Sequence, residues 1–288
     1  MTRSILIQLD TDSHPSVFDR VVAFDAGIDE QFCYGGITPA DVTPLVHGAM
    51  FTRGGEALAQ TAIFVGGSQV KAGEAVLKQV EKTFFPGFRV SVMLDSNGCN
   101  TTAAAAVIAA GRHLTLSSTH ATVLGATGPV GERVARLLAS QGATVQLVSR
   151  SQEKADLLKQ ELETEFPEAR LIPLAASSVS AYRDLLQETE LIVAAGAAGV
   201  EFLPQGDLSQ LQNLKVAIDL NAVPPCGLGD IQPPQKATTL GNVLCYGALG
   251  VGGTKMKLHK AALQQLFTST DLTLDTAAIY DLGVKMDK

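Results

Sequence analysis

The sequence predicts an α/β fold: two α/β domains, the second a Rossmann-type doubly wound parallel sheet, with a cleft between them. Three observations lead there. Short apolar runs alternate with longer amphipathic stretches almost from end to end, as repeated strand–helix units require. A glycine-rich turn, Gly125 to Gly131, lies between a strand-like and a helix-like segment, with another strand-like run close behind. The chain is also 288 residues long and 46% hydrophobic, enough to bury the cores of two modest domains.

Taken in order, Ile5 to Leu9 reads as a strand ending in the polar tip Asp10-Thr11-Asp12, and Ser16 to Ala23 as a helix behind Pro15. Thr61 to Val65 is a strand, Gly66-Gly67-Ser68 a turn, and Val70 to Phe84 an amphipathic helix. Phe88 to Leu94 is a strand closed by Asp95-Ser96-Asn97-Gly98, after which Asn100 or Thr101 can cap a helix through the alanine run Ala103 to Ala110. The second half is more regular. Strand Ala121 to Leu124 leads through the glycine turn to a helix ending at Ser140, then strand Thr144 to Val148 and a charged helix, Gln152 to Phe166. Leu171 to Leu174, Leu191 to Ala194 and Lys215 to Leu220 are three further strands separated by shorter helices. A glycine-rich loop, Gly247 to Gly253, precedes helices over Lys255 to Phe267 and Asp275 to Val284.

The polar stretch Gly111 to Thr119 is the expected domain junction. It gives a substrate domain over 1–112, completed by the C-terminal helices 255–288, and a nucleotide domain over 113–254. A net charge of −7 excludes the basic footprint of a general nucleic-acid binder. Cys33, Cys99, Cys226 and Cys245 form no C-x-x-C pair, and the five histidines form no H-E-x-x-H, so no metal site is expected. No apolar run reaches the ~18 residues that cross a bilayer, and no secretory signal is read, so the expected location is cytoplasmic.

Gly125-Ala126-Thr127-Gly128-Pro129-Val130-Gly131 has the context of a dinucleotide fingerprint. Its glycines permit a tight turn and close approach of pyrophosphate to free N–H groups at a helix start. Read strictly as G-x-G-x-x-G, the first glycine position is Ala126, with Gly125 one residue early. Ala195, just beyond strand Leu191 to Ala194, joins the candidates for the same ligand. An NAD site usually carries an acidic residue at the end of the second strand; this chain has Ser149-Arg150-Ser151. Arg150 can pair bidentately with a 2′-phosphate and the two hydroxyls can donate to it, so the expected cofactor is NADP.

Three polar tips lie at predicted strand ends, the ligand side of an open α/β sheet: Asp10 to Asp12, Asp95 to Thr102, and Asp219 to Asn221. Asp10, Asp12, Asp95, Asn97, Thr101, Thr102 and Asn221 are the candidates for holding a substrate, and Asn221 is also a candidate for the cofactor. Lys255 and Lys257 follow the glycine-rich stretch.

These segments also carry a family resemblance. Asp10-Thr11-Asp12 with Pro15 to Asp19, Phe51 to Gly55, Thr61 to Gly67, Met93 to Gly98, Asn100 to Ala105, Thr127 to Gly131, and Gly247 to Gly250 with Lys255-x-Lys257-Leu258-His259 resemble methylene-tetrahydromethanopterin dehydrogenases of methylotrophic bacteria. The resemblance runs over essentially the whole chain. It implies hydride transfer from a methylene-tetrahydropterin to NADP, giving the methenyl form in one-carbon metabolism. Some members also accept methylene-tetrahydrofolate. It further implies a homo-oligomer, trimeric or hexameric, and an active-site role for Lys255. Arg150 matches the arginine of the NADP-using members, while Gly125-Ala126 departs from their G-T-G-P-V-G start.

The product of that reaction is a delocalised amidinium cation and no proton transfer is obligatory. Catalysis should therefore rest on orientation and electrostatic preorganisation. Lys255 is expected to hydrogen-bond a polar atom of the pterin, with Asn97, Thr101 and Thr102 as orienting groups. Lys257 and His259 are expected at the surface or a helix end. The alternative readings are a two-domain NADP-dependent dehydrogenase of another small substrate, such as a shikimate-like alcohol, and a non-catalytic NADP-sensing module.

Overall fold

The computed structural model describes residues 2–287. In chain order the elements are β1 (Ile5–Asp10), α1 (Val17–Asp25), β2 (Glu30–Tyr34), α2 (Val42–Phe51), β3 (Thr61–Gly66), α3 (Val70–Thr83), β4 (Ser91–Leu94) and α4 (Cys99–Gly111). They continue with β5 (His120–Leu124), α5 (Pro129–Ser140), β6 (Thr144–Ser149), α6 (Gln152–Glu165), β7 (Arg170–Ala175), α7 (Val179–Leu185), β8 (Leu191–Ala194) and β9 (Val216–Asp219). Last come β10 (Thr238–Leu240), β11 (Val243–Tyr246), α8 (Ala248–Gln265), β12 (Thr273–Leu274) and α9 (Thr276–Met286). No helix among the described residues is long and apolar enough to cross a membrane.

The chain forms two compact units, residues 1–101 with 256–286, and residues 102–255. The divisions fall within the bounds of α4 and α8.

The first unit holds a five-stranded sheet of order β12-β4-β3-β1-β2, every pairing parallel. Alternation along the strands sorts its two faces. Ile7, Leu9, Ile63, Val65, Val92 and Leu94 join Val46 and Met50 of α2 and Val76 and Val80 of α3 in one apolar cluster. The opposite face carries polar groups: Gln8, Asp10, Ser91 and Asp95 are all buried. Winding changes direction between β1 and β3, so their carboxyl ends form a switch-point crevice.

The second unit holds a seven-stranded sheet of order β10-β11-β9-β8-β5-β6-β7, parallel except for the edge strand β10. Its switch point lies between β5 and β8. In α5 the buried residues Gly131, Val134, Ala135 and Leu138 recur at helical spacing and lay one face on the sheet.

Several expectations are corrected. β2 and α2 were not read as elements, because Glu30–Tyr34 is a half-exposed edge strand with no continuous apolar run. Only a short 3₁₀ turn, Leu208–Gln210, stands between β8 and β9, where a short helix was expected. The glycine-rich stretch before Lys255 is not a loop: α8 begins at Ala248. A Cβ on Gly250 would lie 1.8 Å from the Gln235 carbonyl oxygen, so these glycines let the helix start pass against the 232–235 backbone. The cap of α4 also differs. The N–H of Thr101 donates to Asp95 Oδ1 at 3.0 Å, so Asp95 does the capping expected of Asn100 or Thr101.

Candidate active site

In the second unit the glycine turn joins β5 to α5 at the switch point. Gly125 adopts φ +78°, a conformation that glycine enters without steric cost, and so performs the turn that the strict motif would give to position 126. A Cβ on Gly131 would lie 2.2 Å from the Gly125 carbonyl oxygen, and one on Gly125 would lie 3.0 Å from that of Ala195. Gly128 precedes α5 with extended backbone, and Pro129 stands in its first turn, where no intrahelical N–H bond is lost. The N–H groups of Val130 and Gly131 have no carbonyl four residues back within the helix, so they face outward as donors. Ala126 is reassigned: its methyl is buried and its N–H donates to Val148 O at 3.0 Å, so it supports the turn from within.

At the end of β6, Thr127 Oγ1 and Ser149 Oγ share a hydrogen bond of 3.0 Å, which ties the turn to the second strand. Ser149 Oγ also accepts from Ser151 N, and Ser151 Oγ caps α6 by accepting from Lys154 N. The two serines therefore organise the loop between β6 and α6. Ser151 keeps its own hydroxyl proton to donate. Arg150 is exposed between them and forms no hydrogen bond or ion pair among the described residues.

Beyond β9, Asp219 is buried and accepts from Asn221 N (2.9 Å) and Leu228 N (2.8 Å). Burial raises its carboxyl above the usual range, against the lowering effect of those N–H groups. The side chain of Asn221 accepts from Val223 N at 2.9 Å and donates to Pro225 O at 3.1 Å. Asn221, expected as a ligand contact, braces the loop that follows β9 with these bonds.

In the first unit, the polar tips form a knitted crown at the carboxyl ends of β1, β3 and β4. Asp10 is fully buried and accepts from Asp12 N (2.9 Å), Ser16 N (3.0 Å) and Gln8 Nε2 (3.0 Å). Asp12 bridges to the β3 loop, taking both the N–H (2.9 Å) and the hydroxyl (2.8 Å) of Ser68. Asp95, also fully buried, takes the Thr101 hydroxyl at 2.6 Å as well as its N–H. Asp10, Asp95 and Thr101, expected as direct substrate contacts, make internal hydrogen bonds that support the loops of the crown. Asn97 stays outward. It is exposed, has φ +53°, a left-handed conformation that asparagine tolerates, and its N–H donates to Gly67 O at 2.8 Å. Thr102 and Lys255 are half-buried.

His259 is not at the surface. It is 0% exposed, its ring stacked on Phe64 (centroids 5.9 Å apart) and its Nδ1 3.9 Å from Asp95 Oδ2. The signal was present: Leu258, His259, Ala262, Leu263 and Leu266 form one buried helical stripe. Starting the helix at Lys255 turned His259 into a first-turn residue and hid it. Ser16 and Ser68 were also missed as crown components; each resembles an ordinary turn serine in sequence.

The geometry can be set beside known proteins. Residues 17–97 match the family described as methylene-tetrahydromethanopterin dehydrogenase, N-terminal, and residues 107–233 match shikimate/quinate 5-dehydrogenase. Over 290 residues the chain is 41% identical to the bifunctional protein MdtA of Methylorubrum extorquens, spanning 99% of this chain and 100% of that one.

The chain belongs to the methylene-tetrahydromethanopterin dehydrogenase family.

A second relative, the NAD(P)-dependent methylenetetrahydromethanopterin dehydrogenase of the same organism, is 29% identical, covering 99% of each chain. Among solved structures, 5-ketofructose reductase of Gluconobacter sp. strain CHM43 has the same fold, with a TM-score of 0.56 and 15% identity over 99% of both chains. As a member of the dehydrogenase family, this chain is an oxidoreductase that moves hydride to a nicotinamide dinucleotide in one-carbon metabolism. Its glycine turn fits such a nucleotide: a side chain at Gly131 would collide with the Gly125 backbone and one at Gly125 would crowd Ala195, and the helix start offers N–H groups to a phosphate. No group of three or more potential metal-ligating side chains occurs among the described residues.

Proposed function

We propose that this dehydrogenase oxidises methylene-tetrahydromethanopterin, and also methylene-tetrahydrofolate, with NADP preferred over NAD. The observation that carries this reading is that the likeness to MdtA, 41% identity, spans 99% of this chain and so both units. NADP preference is supported by Arg150, exposed and without an acidic neighbour at the end of β6, where its guanidinium can take a 2′-phosphate bidentately.

When bound, the nicotinamide ring supplies the hydride acceptor. The chain's own residues then bind and orient. Val130 and Gly131 donate N–H groups to the pyrophosphate, Ala195 borders it at the switch point, and Ser151 joins Arg150 at the adenosine end. Asn97, presented by the crown of Asp10, Asp12, Asp95 and Thr101, is assigned to the pterin, and Thr102 and Lys255 are assigned to it on the family resemblance. A lysine beside a forming cation would oppose the reaction electrostatically, so Lys255 serves by donating to a polar atom of the heterocycle, holding the donor carbon in place. The active assembly is read as a homo-oligomer, trimeric or hexameric, working in the cytoplasm.

The test is a paired assay of both methylene-pterins against NADP and NAD, followed by dinucleotide reduction at 340 nm. Reduction of NADP by methylene-tetrahydromethanopterin is expected with the highest kcat/KM. Dinucleotide binding without reduction by either pterin would defeat the reading.

A further inference from the structure

We propose that the open edge of the first unit's sheet is a contact between copies of this chain: β2 pairs antiparallel with β2 of a second copy, across a two-fold axis at Phe32. The proposal rests on the homo-oligomer reading above and deepens it. It selects the hexamer over the trimer, because a ring of three has no two-fold axis.

A sheet edge presents a row of unpaired backbone groups, and proteins blunt it by shortening the strand or by placing proline or charge on it. The two sheets have four edges among the described residues, and three of them are blunted. β12 is two residues long, β10 is three, and β7 carries Pro173. β2 runs for five residues, Glu30-Gln31-Phe32-Cys33-Tyr34, with no proline, no lysine and one charge at its start. The Glu30 N–H donates toward β1, to Ser4 O at 3.1 Å. Ladder bonds alternate along a strand, so the N–H and C=O groups of Gln31 and Cys33 face away from the sheet.

Both faces beside that edge are apolar and exposed. On one, Phe32 (47% exposed) and Tyr34 (42%) line a cleft of about 270 Å³ with Ile5, Ile7, Pro44 and Leu45. On the other, Gln31 Nε2 donates to the Arg20 carbonyl at 3.1 Å, which sets α1 beside the edge. Val17, Val21 and Phe24 follow one another at helical spacing on α1, and each is more than half exposed. An apolar stripe and an apolar cleft flanking one open strand mark a surface made for a partner.

One symmetry operation covers all three features. With the axis at Phe32, the two Phe32 side chains meet at the close, non-hydrogen-bonded position. Gln31 and Cys33 then exchange backbone bonds with Cys33 and Gln31 of the second copy. Tyr34 stands opposite Glu30 of the second copy, a phenol O–H facing a carboxylate that accepts from it. A register centred one residue earlier would set that carboxylate against Phe32 instead. Strands lie ~4.8 Å apart and α1, which links β1 to β2, lies above them, so the two α1 helices come within about 10 Å, the spacing of packed helices. Their stripes meet antiparallel, Val21 on Val21 and Val17 beside Phe24. Phe24, Phe32, Tyr34 and the two valines supply on the order of 500 Å² of apolar surface per copy, before backbone and rim are counted, against the ~800 Å² per copy of a stable interface.

The test uses the full chain. In Gln31→Cys the introduced thiol lies opposite Cys33 of the second copy, about 5.5 Å between Cα atoms, a separation that a disulfide spans. Mild oxidation should give a linked dimer on non-reducing gels, and adding Cys33→Ser to that variant should abolish it. Phe32→Lys places charge on the axis and Phe24→Glu places it on the helix stripe. Native mass spectrometry should find that each halves the mass of the wild-type particle, with circular dichroism showing that the chain stays folded.

A wild-type particle that is monomeric, or that holds an odd number of copies, overturns the proposal. A monomer removes the homo-oligomer reading as well, whereas an odd ring leaves that reading standing. An even-numbered particle whose mass neither variant changes, with no linked dimer from Gln31→Cys, overturns the β2 contact alone. The linked dimer is read without either charged variant, so misfolding of one of them does not remove the test.

Discussion

The two sheets make their ligand ends in opposite ways. In the second unit the turn from Gly125 to Gly131 works by omission: side chains are left out so that the backbone of β5, α5 and Ala195 can close to contact, leaving N–H groups facing outward. In the first unit the crown is built by inclusion. The carboxylates of Asp10 and Asp95 are folded inward, and Asp12 is spent on Ser68. A site of the first kind tolerates no added atom. A site of the second kind depends on polar groups bonded to one another within the fold.

That contrast can be broken most forcefully at Gly131. Gly131→Ala drives a Cβ into backbone that cannot move aside, and should cost about 3 kcal/mol of stability or more, with dinucleotide binding lost. Thermal unfolding and titration with NADP check this; a stable variant with intact binding would show that the turn has slack.

Arg150→Ala comes next. Loss of a charge-assisted contact of about 1.5–3 kcal/mol should weaken NADP roughly tenfold to a hundredfold and leave NAD little changed. Equal losses for both would remove Arg150 from the 2′-phosphate.

In the crown, Asp12→Ala frees the loop of Ser68 and should destabilise by about 1 kcal/mol, raising KM for the pterin without altering NADP affinity. A change in NADP affinity with unchanged pterin KM would contradict the division of labour between the units.

The contrast also explains what could be read from the sequence. In the second unit β5 to β9 were legible, because a steric motif fixes both residue type and spacing and Leu191–Ala194 is bounded by clear turn residues, whereas the short strands β10 and β11 were not read. In the crown the positions were legible but not the roles. A strand-end polar residue can be buried as a helix cap or left exposed, and only burial separates the two, as Asp95 and Asn97 show two residues apart. His259 was hidden for another reason. Glycine lowers helix propensity, so Gly247–Gly253 reads as a loop, yet close backbone packing against residues 232–235 makes helix the better state there.

The smallest expected effect concerns the second sheet's rim. The Lys215 ammonium, with the N–H of His120, holds the Glu190 carboxyl below its usual range. Its stabilising contribution is therefore complete above the ordinary glutamate range and fades as pH falls through the lowered value in the folded state. Glu190→Gln should make the acid side of the unfolding profile shallower and leave both ligand affinities unchanged.

The most direct measurement follows the hydrogen itself. With methylene-tetrahydromethanopterin deuterated at the transferring carbon and NADP as acceptor, one deuterium should appear at C4 of the reduced dinucleotide, and mass spectrometry reads it. Unlabelled NADPH, or no reduced dinucleotide at all, would contradict direct hydride transfer from the pterin to NADP.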